Sequence, residues 1–132
     1  MSGVDAGSGV GLFGGGSIPV IESVLSFANQ RHALLLNNVA NVDTPGYRAK
    51  DLPEKDFQKA LEGAIAGRRS SAEPLEFVPV ASGSGVTRND GNDVAVDQEM
   101  AKLLKNAMTA QVFNRLLAAK FQMLGLSIRG RV

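Results

Sequence analysis

The chain has 132 residues, of which 20% are charged, a net charge of +1 and no cysteine. That length holds one small domain, and without cysteine neither a disulfide frame nor a thiolate metal site is possible. The near-neutral balance offers no basic footprint for nucleic acid, no apolar run approaches the ~20 residues of a membrane span, and the acidic, glycine-rich start lacks the basic and apolar regions of a signal peptide.

Seven of the fifteen glycines fall in the first sixteen residues, a stretch almost without large apolar side chains. Such a stretch buries too little surface to offset its ordering entropy, so residues 1–16 are expected to be a flexible tail. Residues 17–47 read as a first helix and a turn. Ser17 and Pro19 suit a helix start, and Ile21, Leu25, Ala28, His32, Leu35, Val39 and Val42 recur at alternating spacings of four and three, a heptad seam. On that seam His32 is expected to be a partly buried packing residue. Asn41 to Gly46 supply the stop.

Residues 48–93 form an irregular middle. Asp56–Ala66 can make a short helix, and Leu75–Val80 has strand character that Pro79 limits to an edge. The run from Ala81 to Gly85 and then Arg88-Asn89-Asp90-Gly91-Asn92 reads as linker and turn, so part of this segment is expected to be disordered in the isolated chain. Residues 94–132 carry the strongest pattern: Val96, Met100, Leu103, Ala107, Ala110, Asn114, Leu117, Phe121, Leu124 and Ile128 keep the heptad rhythm without a break. Asp97 and Glu99 in its first turn and Arg129 and Arg131 at its end suit the helix dipole. A second stripe through Leu104, Met108, Val112, Leu116, Ala119, Met123 and Leu126 makes the apolar arc wider than one short partner helix covers, so either the middle folds over it or neighbouring chains do. The fold class expected is all-α: two long heptad helices in a coiled-coil-like pair, joined by an irregular middle. Its seam residues are Leu25, Leu35, Val39, Met100, Leu103, Leu117, Phe121 and Leu124.

For catalysis the sequence offers little. His32 is the one histidine and has no Ser, Cys or carboxylate at helical spacing. Asp51, Glu54 and Asp56 lie among Lys50, Lys55 and Lys59 like a solvated turn, and the N-terminal glycines lack the Lys-Ser/Thr ending of a phosphate loop. No enzyme activity, metal, cofactor, nucleic acid or small-molecule substrate is expected.

The informative run is Asn37-Asn38-Val39-Ala40-Asn41-Val42-Asp43-Thr44-Pro45-Gly46-Tyr47. Pro45 and Gly46 suit the second and third positions of a tight turn, which needs φ near −65° and then φ > 0. Asn38 and Asn41 are three apart on the last helical turn, where their amides can bond unpaired carbonyls or a neighbouring chain. From the residues alone, both readings stand.

Asn38, Asn41, Thr44, Pro45, Gly46 and Tyr47 resemble the Asn-x-x-Asn-x-x-Thr-Pro-Gly-Tyr signature of the flagellar rod and hook proteins, at the same place after an N-terminal heptad helix. With the C-terminal heptad helix, the resemblance covers most of residues 20–130. The chain's length is similar to that of the family's two short proximal-rod members, and Arg88–Val94 followed by Val96–Ala101 looks like the stretch before the last helix of one of them. Phe57 and Leu61 resemble the segment that the flagellar export gate is thought to read, although Phe and Leu four apart are equally one face of a short helix. The long glycine-rich start departs from the family pattern.

The resemblance implies a structural subunit of the flagellar basal-body rod, crossing the periplasm, exported without a cleaved signal peptide and polymerised into a hollow drive shaft. Its implied partners are further copies of itself, other rod subunits, the membrane-ring adaptor at the rod base and the export gate. The alternatives are the other short proximal-rod protein, a cytosolic helical export adaptor or chaperone, and a secreted cell-wall enzyme, for which no carboxylate pair stands out.

Overall fold

The structure, a computed structural model, describes residues 17–66, 77–83 and 85–130. The first sixteen residues, with the tail expected there, and residues 67–76, with the start of the expected strand, lie outside them. Three helices are present among the described residues, α1 (Ser17–Ala40), α2 (Glu54–Ile65) and α3 (Val96–Arg129), with two short strands, β1 (Lys50–Asp51) and β2 (Val80–Ala81). The expected all-α class holds, with α1 and α3 packed along each other.

The helix ends follow their chemistry. Pro19 occupies the first turn of α1, where its missing N–H costs nothing. Carboxylates of Glu54 and Asp56 open α2, and those of Asp97 and Glu99 open α3, facing the positive end of each dipole. Phe57 N–H donates to the Pro53 carbonyl at 3.1 Å, so α2 starts two residues earlier than Asp56. Arg129 sits at the other end of α3, and Gly130 N–H returns to the Leu126 carbonyl at 2.9 Å.

The strands pair antiparallel, Lys50 with Ala81 and Asp51 with Val80, and Ser82 N–H extends the ladder to the Ala49 carbonyl at 3.0 Å. This short ribbon ties the two halves of the middle together. Arg31 of α1 then fastens it to the helix pair through a bidentate ion pair with Asp51, both N···O distances being 2.8 Å. Asp51 holds the Arg31 guanidinium above its ordinary pKa by hydrogen bonding, against the opposing effect of burial.

The core lies between α1 and α2. Val24, Phe27, Leu52 and Phe57 are buried together, with Leu34, Leu61, Phe77 and Phe113 packed around them. Phe27 and Phe57 stack with centroids 4.1 Å apart, and Phe77 meets both edge-on at 5.5 and 5.7 Å, the geometries that aromatic quadrupoles favour.

The α1–α3 seam differs from the one expected. On α1 it runs through Ile21, Val24, Ala28, Arg31, Leu35 and Asn38, and on α3 through Glu99, Leu103, Asn106, Ala110, Phe113, Leu117 and Lys120, all buried or half-buried. Ile21, Ala28, Leu35, Leu103, Ala110 and Leu117 are shared with the sequence pattern. At the alternate positions the residue one place earlier faces inward. Met100, Phe121 and Leu124 are therefore exposed rather than on the seam, Leu25 and Val39 are half-buried at its edge, and His32 is exposed rather than packed. The heptad rhythm located the stripe, but α3 has apolar residues on several faces, and polar partners on α1 turn a neighbouring face inward.

None of the buried apolar core residues belongs to α3; its buried residues, among those described, are Glu99, Asn106 and Lys120. Its outer side carries Leu104, Met108, Val112 and Leu126, each at least 60% exposed. Among the described residues nothing from the middle segment covers that face.

Candidate functional site

The family-like motif closes α1 and builds a compact polar site with the stretch before α3. The last turn of α1 tightens as Asn41 N–H reaches the carbonyls of Asn37 and Asn38, at 3.1 and 3.2 Å, and Val42 N–H reaches Val39 at 3.3 Å. Thr44 to Tyr47 then form a turn closed by Tyr47 N–H on the Thr44 carbonyl at 3.2 Å, with Gly46 at φ 76°. That is the type II geometry expected from Pro-Gly, and a side chain at Gly46 would be strained by φ alone.

Asn38 is the centre of the site and is fully buried. Its amide donates to the Lys50 carbonyl at 2.8 Å and to Glu99 Oε2 at 2.7 Å. Its carbonyl oxygen accepts from Lys50 N–H at 3.1 Å and from the Tyr47 hydroxyl at 2.9 Å. Two donors and two acceptors exhaust an asparagine amide, so one side chain joins the end of α1, the strand after the turn and the first turn of α3. Of the two readings open for Asn38, its amide makes these bonds within its own chain.

Asn41 works more locally. It donates to the Asn37 carbonyl at 2.8 Å, adding a second bond to an acceptor that already takes the Asn41 N–H, and accepts from the Thr44 hydroxyl at 3.0 Å. Tyr47 also accepts from Asn37 Nδ2 at 3.1 Å. Burial is the main cause that raises the Tyr47 pKa above the ordinary phenol value, with the charges of Glu99 and Asp93 adding to it and the Asn37 bond opposing it.

The stretch from Arg88 to Val94 clamps this turn from outside. Gly46 N–H donates to the Asp90 carbonyl at 2.7 Å, Asp93 N–H to the Tyr47 carbonyl at 3.3 Å, and Arg88 reaches the Val42 carbonyl. Asn92, with no solvent exposure, sends both amide hydrogens to the carbonyls of Asn41 and Thr44 at 2.9 and 2.8 Å, and accepts from Val94 N–H at 2.8 Å. Asp93 accepts from the buried Ala49 N–H at 2.7 Å. The clamp is close-packed: the Cβ direction of Gly91, at φ 83°, points to the Gly46 backbone 3.3 Å away. Two segments distant in sequence thus form one unit.

The sequence marks none of Asn92, Glu99 and Asn106 as a buried site residue: Asn92 reads as part of a linker and turn, and Glu99 as a carboxylate suiting the helix dipole. A signal was present for two of them: Glu99 and Asn106 are seven apart and stand one place before the apolar heptad positions Met100 and Ala107. Phe57 and Leu61 are brought together on one face of α2, but that face lies in the aromatic core, with Phe57 7% exposed. Among the described residues no three His, Asp or Glu side chains gather where they could hold a metal ion, and no helix is long and apolar enough to cross a membrane.

Comparison with known proteins supplies the family. The chain is 30% identical over 122 residues to the flagellar basal body rod protein FlgB of Aeromonas hydrophila, covering 83% of this chain and 89% of that protein. The chain belongs to the FlgB family. It is also similar to FlgB of Bacillus subtilis (strain 168), with 29% identity over 87% of this chain and 95% of the relative, and to FlgB of Aquifex aeolicus (strain VF5), with 27% identity over 86% and 94%. No protein-family model matches the chain. The FlgB matches cover most of this chain and most of each relative.

Proposed function

We propose that this chain is a structural subunit of the flagellar basal-body rod, threaded unfolded through the flagellar export channel and polymerised into the axial drive shaft. The observation that carries this reading is the outer face of α3, where Leu104, Met108, Val112, Met123 and Leu126 are all more than half exposed. An apolar stripe of this length on one helix marks a surface completed by other chains. FlgB relatives supply the kind of assembly. The partners are then neighbouring rod subunits, including further copies, together with the membrane-ring adaptor at the rod base and the export gate. The place of action is the basal body, across the periplasm.

Within this reading, Phe57 and Leu61 meet the export gate only before folding, because the folded chain keeps Phe57 in its core. The turn contributes to assembly through the exposed Thr44, Pro45 and Gly46 rather than through Asn38. The role is mechanical: the subunit transmits torque and transforms no substrate.

The test is Leu104→Glu/Met108→Glu, which charges the outer face and touches no buried residue. Purified wild-type chain should gain helix and sediment faster as concentration rises, while the variant stays monomeric and, in cells lacking the native gene, leaves basal bodies without a complete rod. A wild-type chain that is fully helical and monomeric across the concentration series, with a motile variant strain, would overturn the proposal.

A further inference from the structure

The outer face of α3 rivals in apolar character the face that α3 turns towards α1, which carries the half-buried Leu103, Ala110, Phe113 and Leu117. Met100, Leu104, Met108 and Val112 are 52–65% exposed, while the inward side buries Glu99, Asn106 and Lys120. With 3.6 residues per turn, the two faces lie roughly 170° apart around the helix axis. Both run along the part of α3 that lies beside α1. Hydrophobic burial alone therefore does not forbid turning α3 over to seat Met100, Leu104, Met108 and Val112 against Ile21, Val24, Ala28 and Leu35.

Directed polar contacts oppose that rotation. Asn106 Nδ2 donates to the Ala28 carbonyl at 2.8 Å in a buried contact, and Glu99 Oε2 accepts from Asn38 Nδ2 at 2.7 Å. Lys102 at 3.2 Å from Glu99 supplies the countercharge. If α3 turned, Asn38 would lose a hydrogen-bond acceptor inside a site where it is fully buried. Such a loss is costly, because a buried donor without a partner keeps its whole desolvation penalty. Glu99 and Asn106 stand one heptad apart on the seam, the placement at which a single polar residue fixes register in paired helices at some cost in stability.

We propose that Glu99 and Asn106 lock α3 in one rotation and register against α1, and so keep the apolar face of Met100, Leu104, Met108 and Val112 from closing onto its own chain. The lock is a property of the isolated chain and does not depend on what later covers that face.

The absence of cysteine allows a clean test. Nitroxide labels on cysteines placed at the exposed positions Asn29 and Gln111 report the rotation of α3 against α1, with labelled protein diluted into excess unlabelled protein so that only distances within one chain are read. The wild-type background should give one narrow distance. Glu99→Leu/Asn106→Leu should stay helical and add a second, well-separated distance. Adding Leu104→Gln/Met108→Gln to that variant should remove the second distance. A single unchanged distance in the Leu/Leu variant would overturn the proposal. Loss of helix in that variant would overturn it too, since the polar pair would then supply stability rather than choose between faces.

Discussion

Replacing Asn38 with Ala tests whether the motif is an internal fastening. The substitution removes four hydrogen bonds at once, two through Nδ2 and two through Oδ1, at a side chain with no exposure. The Glu99 bond is the largest loss, because Glu99 is only 2% exposed and hydrogen bonds to charged groups are worth about 1.5–3 kcal/mol. The Lys50 groups and the Tyr47 hydroxyl lie nearer solvent and recover part of their loss through water, leaving roughly 1–2 kcal/mol among them. The sum of about 2.5–5 kcal/mol is a large share of the roughly 5–15 kcal/mol that stabilises an ordinary domain. Asn41→Ala, whose partners are exposed, should cost only about 0.5–1 kcal/mol. Urea unfolding followed by circular dichroism at low concentration measures both. If Asn38→Ala unfolds within about 1 kcal/mol of wild type with an unchanged m-value, the four bonds do not act as a unit and the reasoning fails.

Tyr47 is the only tyrosine and there is no tryptophan, so tyrosinate absorbance reports this one site. Its raised pKa means that the folded chain keeps a proton which the unfolded chain releases from about pH 10 upward. The stability it contributes is complete below that pH and is lost as pH rises through the folded value. Tyr47→Phe should abolish that component of the alkaline loss, and a folded chain whose phenol titrates at or below the free value would contradict the burial. For export, Phe57→Ala/Leu61→Ala should reduce secretion while Phe27→Ala, which damages the same core by about 3–5 kcal/mol, leaves it intact. Equal secretion of the two variants would assign Phe57 and Leu61 to packing alone.

The long helices were legible because no proline falls beyond the first turn of either and heptad spacing runs through them. The Pro-Gly turn was legible because the φ values it needs belong to those two residues. The short helix was legible as well, displaced by two residues because Pro53 supplies the first accepting carbonyl. What the sequence did not reveal was the rotation of each helix. On α1, Asn38 and Arg31 face inward where Val39 and His32 fit the apolar pattern, because Lys50, Glu99 and Asp51 wait there as partners. Those partners come from segments distant in sequence, so no local rule weighs them. The same holds for the clamp: a turn-rich stretch ending in Asn92 reads as linker until its amide is seen bonding the carbonyls of Asn41 and Thr44.

The misplacement of the seam is itself informative, because sequence rules fail most where a chain satisfies a demand other than its own stability. A helix pair selected only to fold alone has no reason to bury Glu99 and Asn106 while Leu104, Met108 and Val112 stay outside. This chain does so, and it places Glu99 beside the turn motif, on the amide of Asn38. Asn38 belongs to both arrangements: it fastens the turn through Lys50 and Tyr47, and it orients α3 through Glu99. The turn and the outer face of α3 are therefore coupled through one buried amide. A change at the turn that releases Asn38 loosens the rotation of α3 as well, so a local defect at the motif becomes a defect in the outer apolar surface of α3.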